Sequence, residues 1–157
     1  MVKHLLVVRS LTKFYAMPGL RLGFASAHPD LVKRLEQGKD VWNVNNLAQA
    51  AGVAALGLKE YHRKSRAFVR GEKDWLYARL CSIGGLNPIE PSVNFIMVNV
   101  ADTGLTSSEL TARMRRQGIL VRDCANYTGL EGRQYIRVAV RSRAENEQML
   151  KALEAVV

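Results

Sequence analysis

Between Leu47 and Ile83 the sequence carries no proline, and Leu47, Ala51, Ala54, Leu58, Tyr61, Phe68, Trp75 and Leu80 fall near helical spacing with polar residues between them. The pattern predicts one long helix. Gly52, Gly57 and Gly71 lie inside it, and each costs about 1 kcal/mol relative to Ala, so a bend or break is expected near one of them. Gly84 and Gly85 supply its end. A helix of this length flanked on both sides by strand-like segments restricts the chain to an α/β architecture.

On the N-terminal side, the run Leu5–Val8 is continuously apolar and bounded by polar residues. It reads as a strand buried on both faces, which implies neighbouring strands beyond this chain. The stretch RLGFASA reads as a second short strand. His28, Pro29 and Asp30 then make a helix start with Pro at the first helical position, running through Val32 and Leu35 to Gly38, and Trp42 to Asn46 reads as a loop. On the C-terminal side the pattern changes around residues 84–92. Strands over Val93–Val100, Ile119–Cys124 and Tyr135–Val140 alternate with a helix over Ser107–Gln117 and another from Arg143. Both helices open on capping boxes, Thr106 with Glu109 and Ser142 with Glu145.

A chain of 157 residues with 48% hydrophobic side chains has enough apolar surface for an ordinary core, which excludes disorder. Its net charge of +9, from 23 Lys and Arg against 14 Asp and Glu, points to anionic partners. The basic residues are spread over the whole chain and dense only from Lys59 to Lys73, so a solvated helix face is expected there and no nucleic acid partner. Cys81 and Cys124 are far apart, and His4, His28 and His62 show no metal spacing; His28 reads as a helix cap and His62 as part of the solvated face. No segment is long and apolar enough to span a membrane and no signal sequence is evident, so a reduced, cytoplasmic setting is expected.

The loop after the first strand reads SLTKFYAMPGLRLG, from Ser10 to Gly23. Its residue types suit a phosphorylated aldehyde cofactor. Lys13 supplies an amine that attacks a carbonyl when neutral, a state that a desolvated pocket favours. Arg21 and Ser10 supply donors for a phosphate, Gly19 and Gly23 allow the backbone to bend and pack closely, and Tyr15 reads as an aromatic packing residue. The pattern of Ser, two residues, Lys, then Gly-x-Arg-x-Gly resembles the Schiff-base lysine signature of the class I and II aminotransferase family. Five positions match, which chance would produce on the order of once in ten thousand chains of this length. The resemblance implies pyridoxal 5'-phosphate as cofactor, held covalently by Lys13 with Ser10 and Arg21 on its phosphate. It also implies fold type I: residues 1–46 as the end of a large cofactor-binding domain, 47–85 as a linking helix and 86–157 as a small C-terminal α/β domain.

A second stretch runs from Ile119 to Leu150. Arg137 lies in an otherwise apolar strand on one face with Tyr135 and Ala139, and Arg122 ends the strand before it. Two arginines there suit one anionic substrate or, equally, the wet face of a small sheet. CANYTGL, YIRVAVRSRAEN and NVNNLAQAAGVAAL are similar to the threonine-phosphate decarboxylase branch of the family, with the histidinol-phosphate aminotransferase branch next. The resemblance covers almost the whole chain. It implies that Arg137 binds a substrate anion, usually the carboxylate, that Arg122 helps hold a substrate phosphate, and that Asn94 lies near the substrate. It implies, too, a homodimer for the intact protein. The glycine-bearing helix start, stacking aromatic and aspartate that the family carries before the lysine have no counterpart here, so the chain reads as the C-terminal half of such an enzyme and is expected to be inactive alone. The expected reaction is a decarboxylation of a phosphorylated amino acid, with a transamination second and a non-enzymatic basic domain third.

Overall fold

The computed structural model of the chain describes residues 3–157. They form two compact units, dividing between His62 and Arg63.

In the first unit, strand β1 (Leu6–Ser10) pairs antiparallel with β2 (Gly23–Ala27), in register from Leu6 opposite Ala27 to Ser10 opposite Gly23. The ladder runs one step further, from Leu11 N–H to the Leu22 carbonyl at 3.1 Å. β1 is exposed along its whole length within this unit, with Val8 70% accessible; the burial expected on both its faces depends on neighbouring strands beyond this chain. The apolar run does specify a strand. Burial needs layers above and below, and a two-stranded ribbon supplies neither. Gly23 is required by close approach: a Cβ there would lie 2.8 Å from the Arg9 carbonyl oxygen, backbone that cannot yield without moving the ribbon. Gly23→Ala is therefore expected to destabilise the ribbon by about 1–3 kcal/mol, read as a lower urea midpoint. Nothing crowds Gly19, and no feature of the structure demands glycine there.

Helix α1 (Pro29–Gly38) begins as expected, with His28 Nδ1 accepting from the Asp30 N–H at 3.3 Å and Pro29 in the first turn. The long helix is interrupted. α2 (Asn46–Leu56), capped by Asn45 through a 2.8 Å bond from the Ala48 N–H, ends at Gly57, and α3 (Lys59–Cys81) restarts two residues later. At the break, the Gly57 N–H turns to the Ala54 carbonyl and the Leu58 N–H to that of Ala55, a tightened last turn. The other two glycines do not break the helices. Gly52 faces Leu22, where a Cβ would meet the leucine Cδ2 at 2.5 Å, so Ala48, Gly52 and Ala55 form the small-residue stripe that brings α2 down onto the loop.

The second unit is a four-stranded antiparallel sheet in the order β3 (Asn87–Pro88), β4 (Phe95–Asn99), β6 (Tyr135–Ala139), β5 (Arg122–Asp123). Alternation along β4 and β6 sends Ile96, Val98, Ile136 and Val138 into the core. There they meet Leu76 and Leu80 of α3, Leu110 and Met114 of α4 (Ser107–Arg116), and Leu150 and Leu153 of α5 (Arg143–Glu154). Both expected capping boxes form. The strand expected over Ile119–Cys124 is reduced to Arg122 and Asp123, because the chain after Gly118 reaches the sheet only there. Gly85, at φ +80°, turns the chain after α3 where a Cβ would press on Thr103 and the Asp102 carbonyl.

A charged cluster ties α5 to α3. Arg143 donates twice to Glu72, at 3.0 Å each, lies over the Trp75 ring at 4.0 Å, and is joined by Asn146 Nδ2 at 3.2 Å from the same carboxylate. The Arg143 hydrogen bonds hold the Glu72 carboxyl below its usual range against the opposing effect of burial. Beside it, Arg141, 2.8 Å away, and the Ser142 hydroxyl and N–H pull Glu145 down to about 2. A carboxyl depressed in the folded state stabilises above its unfolded value, about 4.3, and loses that contribution as pH falls toward the folded value. The urea midpoint is therefore expected to hold down to about pH 5 and to fall from there toward pH 2. Glu145→Gln should flatten that fall.

Candidate functional site

The loop between β1 and β2 folds over its own backbone. Ala16 N–H donates to the Lys13 carbonyl at 3.2 Å and Met17 N–H to that of Thr12 at 3.0 Å, while Leu11 and Thr12 are buried beneath. Ser10 Oγ lies 2.8 Å from Thr12 Oγ1 and also accepts from the Thr12 N–H at 3.3 Å, so the two hydroxyls sit together at the strand end. Arg21 follows the 3-10 turn Pro18–Leu20 in the left-handed region, at φ 51°, and one of its N–H groups bonds the Pro18 carbonyl at 3.0 Å. Ala16, at φ 53°, shares that conformation. Non-glycine residues occupy it at a cost on the order of 1 kcal/mol, and such strain concentrates at ligand sites.

Lys13 itself is exposed, so the desolvation expected around its amine is not supplied by this unit. What the unit does supply is an aromatic clamp on the next residue. Tyr61, at the start of α3, donates to the Phe14 carbonyl at 2.7 Å, and the rings of Phe14, Tyr15, Tyr61 and His62 pack edge-on or stacked at 5.0 to 5.9 Å. Tyr15 is a packing residue, as expected. His62 corrects its expectation: instead of facing solvent it lies 2.8 Å from the Tyr15 hydroxyl and 3.1 Å from the Ala55 carbonyl. An apolar cleft of about 340 Å³ nearby, between Leu22, Phe24 and Val53, includes none of Ser10, Lys13 and Arg21 in its lining.

In the second unit the face of the sheet turned away from the core carries the other candidates. Arg122 stands directly opposite Arg137 in the ladder, and Arg137 opposite Met97. Arg137 lies over the Phe95 ring at 5.0 Å, and Arg122 over Tyr127 at 5.4 Å with a 2.9 Å bond to Asn126 Oδ1. Behind them burial pushes the Cys124 thiol up, partly countered by these two positive charges. Asn94 is exposed just before β4, where its backbone carbonyl accepts from the Val140 N–H at 2.9 Å. Asn126, Tyr127 and Phe95 were not singled out from the sequence. The signal for the first two was their place in CANYTGL, close to Arg122.

Ser10, Lys13 and Arg21 thus gather in one unit, and Arg122 and Arg137 in the other. A lysine amine, two hydroxyls and a guanidinium on one strained loop fit a group that carries an aldehyde and a phosphate. Among the described residues no cluster suits a metal ion and no helix is long and apolar enough to cross a membrane.

The chain is 39% identical over 155 residues to threonine-phosphate decarboxylase of Salmonella typhimurium, covering 98% of this chain and 42% of that protein. It is 29% identical over 154 residues to histidinol-phosphate aminotransferase of Methanosphaera stadtmanae, again covering 98% of this chain and 42% of that protein. Among solved structures, L-threonine-O-3-phosphate decarboxylase from Porphyromonas gingivalis superposes with a TM-score of 0.81 at 31% identity, over 98% of this chain and 46% of that one. The chain therefore spans less than half the length of these relatives. The profile of the family described as aminotransferase class I and II matches residues 1–156, and the chain belongs to that family.

Proposed function

We propose that the protein carrying this chain decarboxylates L-threonine O-3-phosphate to aminopropanol phosphate in cobalamin biosynthesis, acting as a cytoplasmic homodimer. In this reading residues 1–46 close a large cofactor-binding domain, 47–85 link it to the rest, and 86–157 form a small substrate-binding domain. The observation that carries it is the register of β5 and β6. Like charges directly opposite each other in a sheet are unfavourable, and Arg122 and Arg137 stand so, an arrangement that an anion between or beside them would reward. A substrate with both a carboxylate and a phosphate suits two guanidinium forks.

Lys13 holds the cofactor and returns a proton to substrate carbon; Ser10 and Arg21 take the cofactor phosphate. When bound, pyridoxal phosphate supplies the electron sink for the bond that breaks at Cα. Arg137 would hold the substrate carboxylate and fix the orientation of the substrate, Arg122 would hold the phosphate, and Asn94 would lie near the substrate. The likeness to a histidinol-phosphate aminotransferase favours transamination as the second reading. Incubating the full-length protein with threonine phosphate and pyridoxal phosphate, without a keto acid, separates them. Release of carbon dioxide supports the decarboxylase; amino transfer requiring a keto acid acceptor, with no carbon dioxide, overturns it.

A further inference from the structure

β5 is two residues long and lies at the edge of its sheet, so the ladder alone holds Arg122 weakly. An exposed arginine left to itself samples many rotamers, and fixing one costs side-chain entropy. Here three side chains after and beside it do the fixing. The Asp123 carboxylate accepts from the Ser107 hydroxyl at 2.8 Å, the Ser108 hydroxyl at 2.6 Å and the Ala125 N–H at 2.9 Å, tying β5 and the following turn to the start of α4. Tyr127 N–H then closes the turn onto the Cys124 carbonyl at 2.9 Å. The turn brings Asn126 Oδ1 to Arg122 Nη2 and the Tyr127 ring to the guanidinium.

Resting on the reading of Arg122 as a phosphate ligand, we propose that Asn126 is a positioning residue that presents the Arg122 guanidinium to a phosphate monoester. The amide oxygen engages one end of the fork and leaves donors on the remaining N–H groups for the anion. Its neutrality is the essential property. A carboxylate in the same place would satisfy the same N–H but cancel the charge on which phosphate binding depends. Asp123, the nearest acid in sequence, is turned to the other side of the strand. Burial raises its carboxyl, but the Ser108, Ala125 and Ser107 hydrogen bonds and the Arg122 charge outweigh it, and the group is held ionised below its usual range.

The test uses the full-length protein and inorganic phosphate as probe, with affinity read by calorimetry and fold stability by urea midpoint. Asn126→Asp, which keeps size and acceptor, is expected to weaken phosphate binding about tenfold or more with an unchanged or higher urea midpoint. Asn126→Ala should weaken it less. The same Asn126→Asp protein should show a raised KM for the phosphorylated substrate at similar kcat. A purely structural Asn126 predicts unchanged phosphate affinity in Asn126→Asp, and that result overturns the proposal. Arg122→Gln serves as the separate control. If it abolishes phosphate binding while Asn126→Asp does not affect it, only the role of Asn126 falls; if Arg122→Gln itself binds phosphate normally, the underlying reading of Arg122 falls as well.

Discussion

Replacing Lys13 by alanine in the full-length protein is expected to remove the absorbance of covalently held cofactor and to lower kcat by about 10³-fold or more, with little change in stability. Two properties set this expectation. Lys13 is exposed on its loop and neither packs in a core nor bonds a buried partner, so its removal leaves no cavity. Yet it provides the only side-chain amine in the segment Ser10–Gly23, and on the proposed reading loss of the nucleophile and of the proton it carries removes an entire catalytic route. A Lys13→Ala protein that keeps both the absorbance and a rate within tenfold of the original would remove Lys13 from the site.

The second large effect falls on Arg137, and it has opposite signs in two measurements. On the proposed reading Arg137→Gln deletes a charge-assisted contact to the substrate anion, worth about 1.5–3 kcal/mol, so kcat/KM should drop by roughly 10- to 150-fold. In the absence of ligand the same change relieves the direct opposition to Arg122 and should leave the urea midpoint equal or raised, by an amount of order 0.2–1 kcal/mol. The Arg137 stack on Phe95 at 5.0 Å offsets part of that gain. A drop in kcat/KM accompanied by clear destabilisation would assign Arg137 to the fold rather than to substrate.

Much of the fold was legible because it depends on neighbours in sequence. The caps at His28, Thr106 and Ser142 and the alternation of Ile96 with Val98 and of Ile136 with Val138 are local patterns with local consequences. The helix break was legible only as one of three glycines. Gly57 breaks, Gly52 lies in α2 against Leu22, and Gly71 sits in α3 with nothing within 4 Å of a Cβ there; helical spacing alone does not say which of the three breaks. The exposure of Leu6, Val7 and Val8 on this two-stranded ribbon was not legible either, since an apolar run reports what a strand wants to touch and not what it touches.

The candidate site shows the same division. Ser10, Lys13 and Arg21 could be read as a spaced motif because they are held within fourteen positions. The opposition of Arg122 and Arg137 could not, because it depends on the register of a two-residue edge strand fifteen positions away. Nor could the support given to Arg122 by Asn126 and Tyr127, which follows from a turn closed by Asp123, Ser107 and Ser108.

The central claim is that Lys13 is the residue that holds the cofactor. It is tested most directly by borohydride reduction of the full-length protein in the presence of pyridoxal phosphate, followed by peptide mapping. Label concentrated on the peptide containing Lys13 is the expected result; label spread over surface lysines such as Lys33 and Lys59, with none enriched at Lys13, would contradict it.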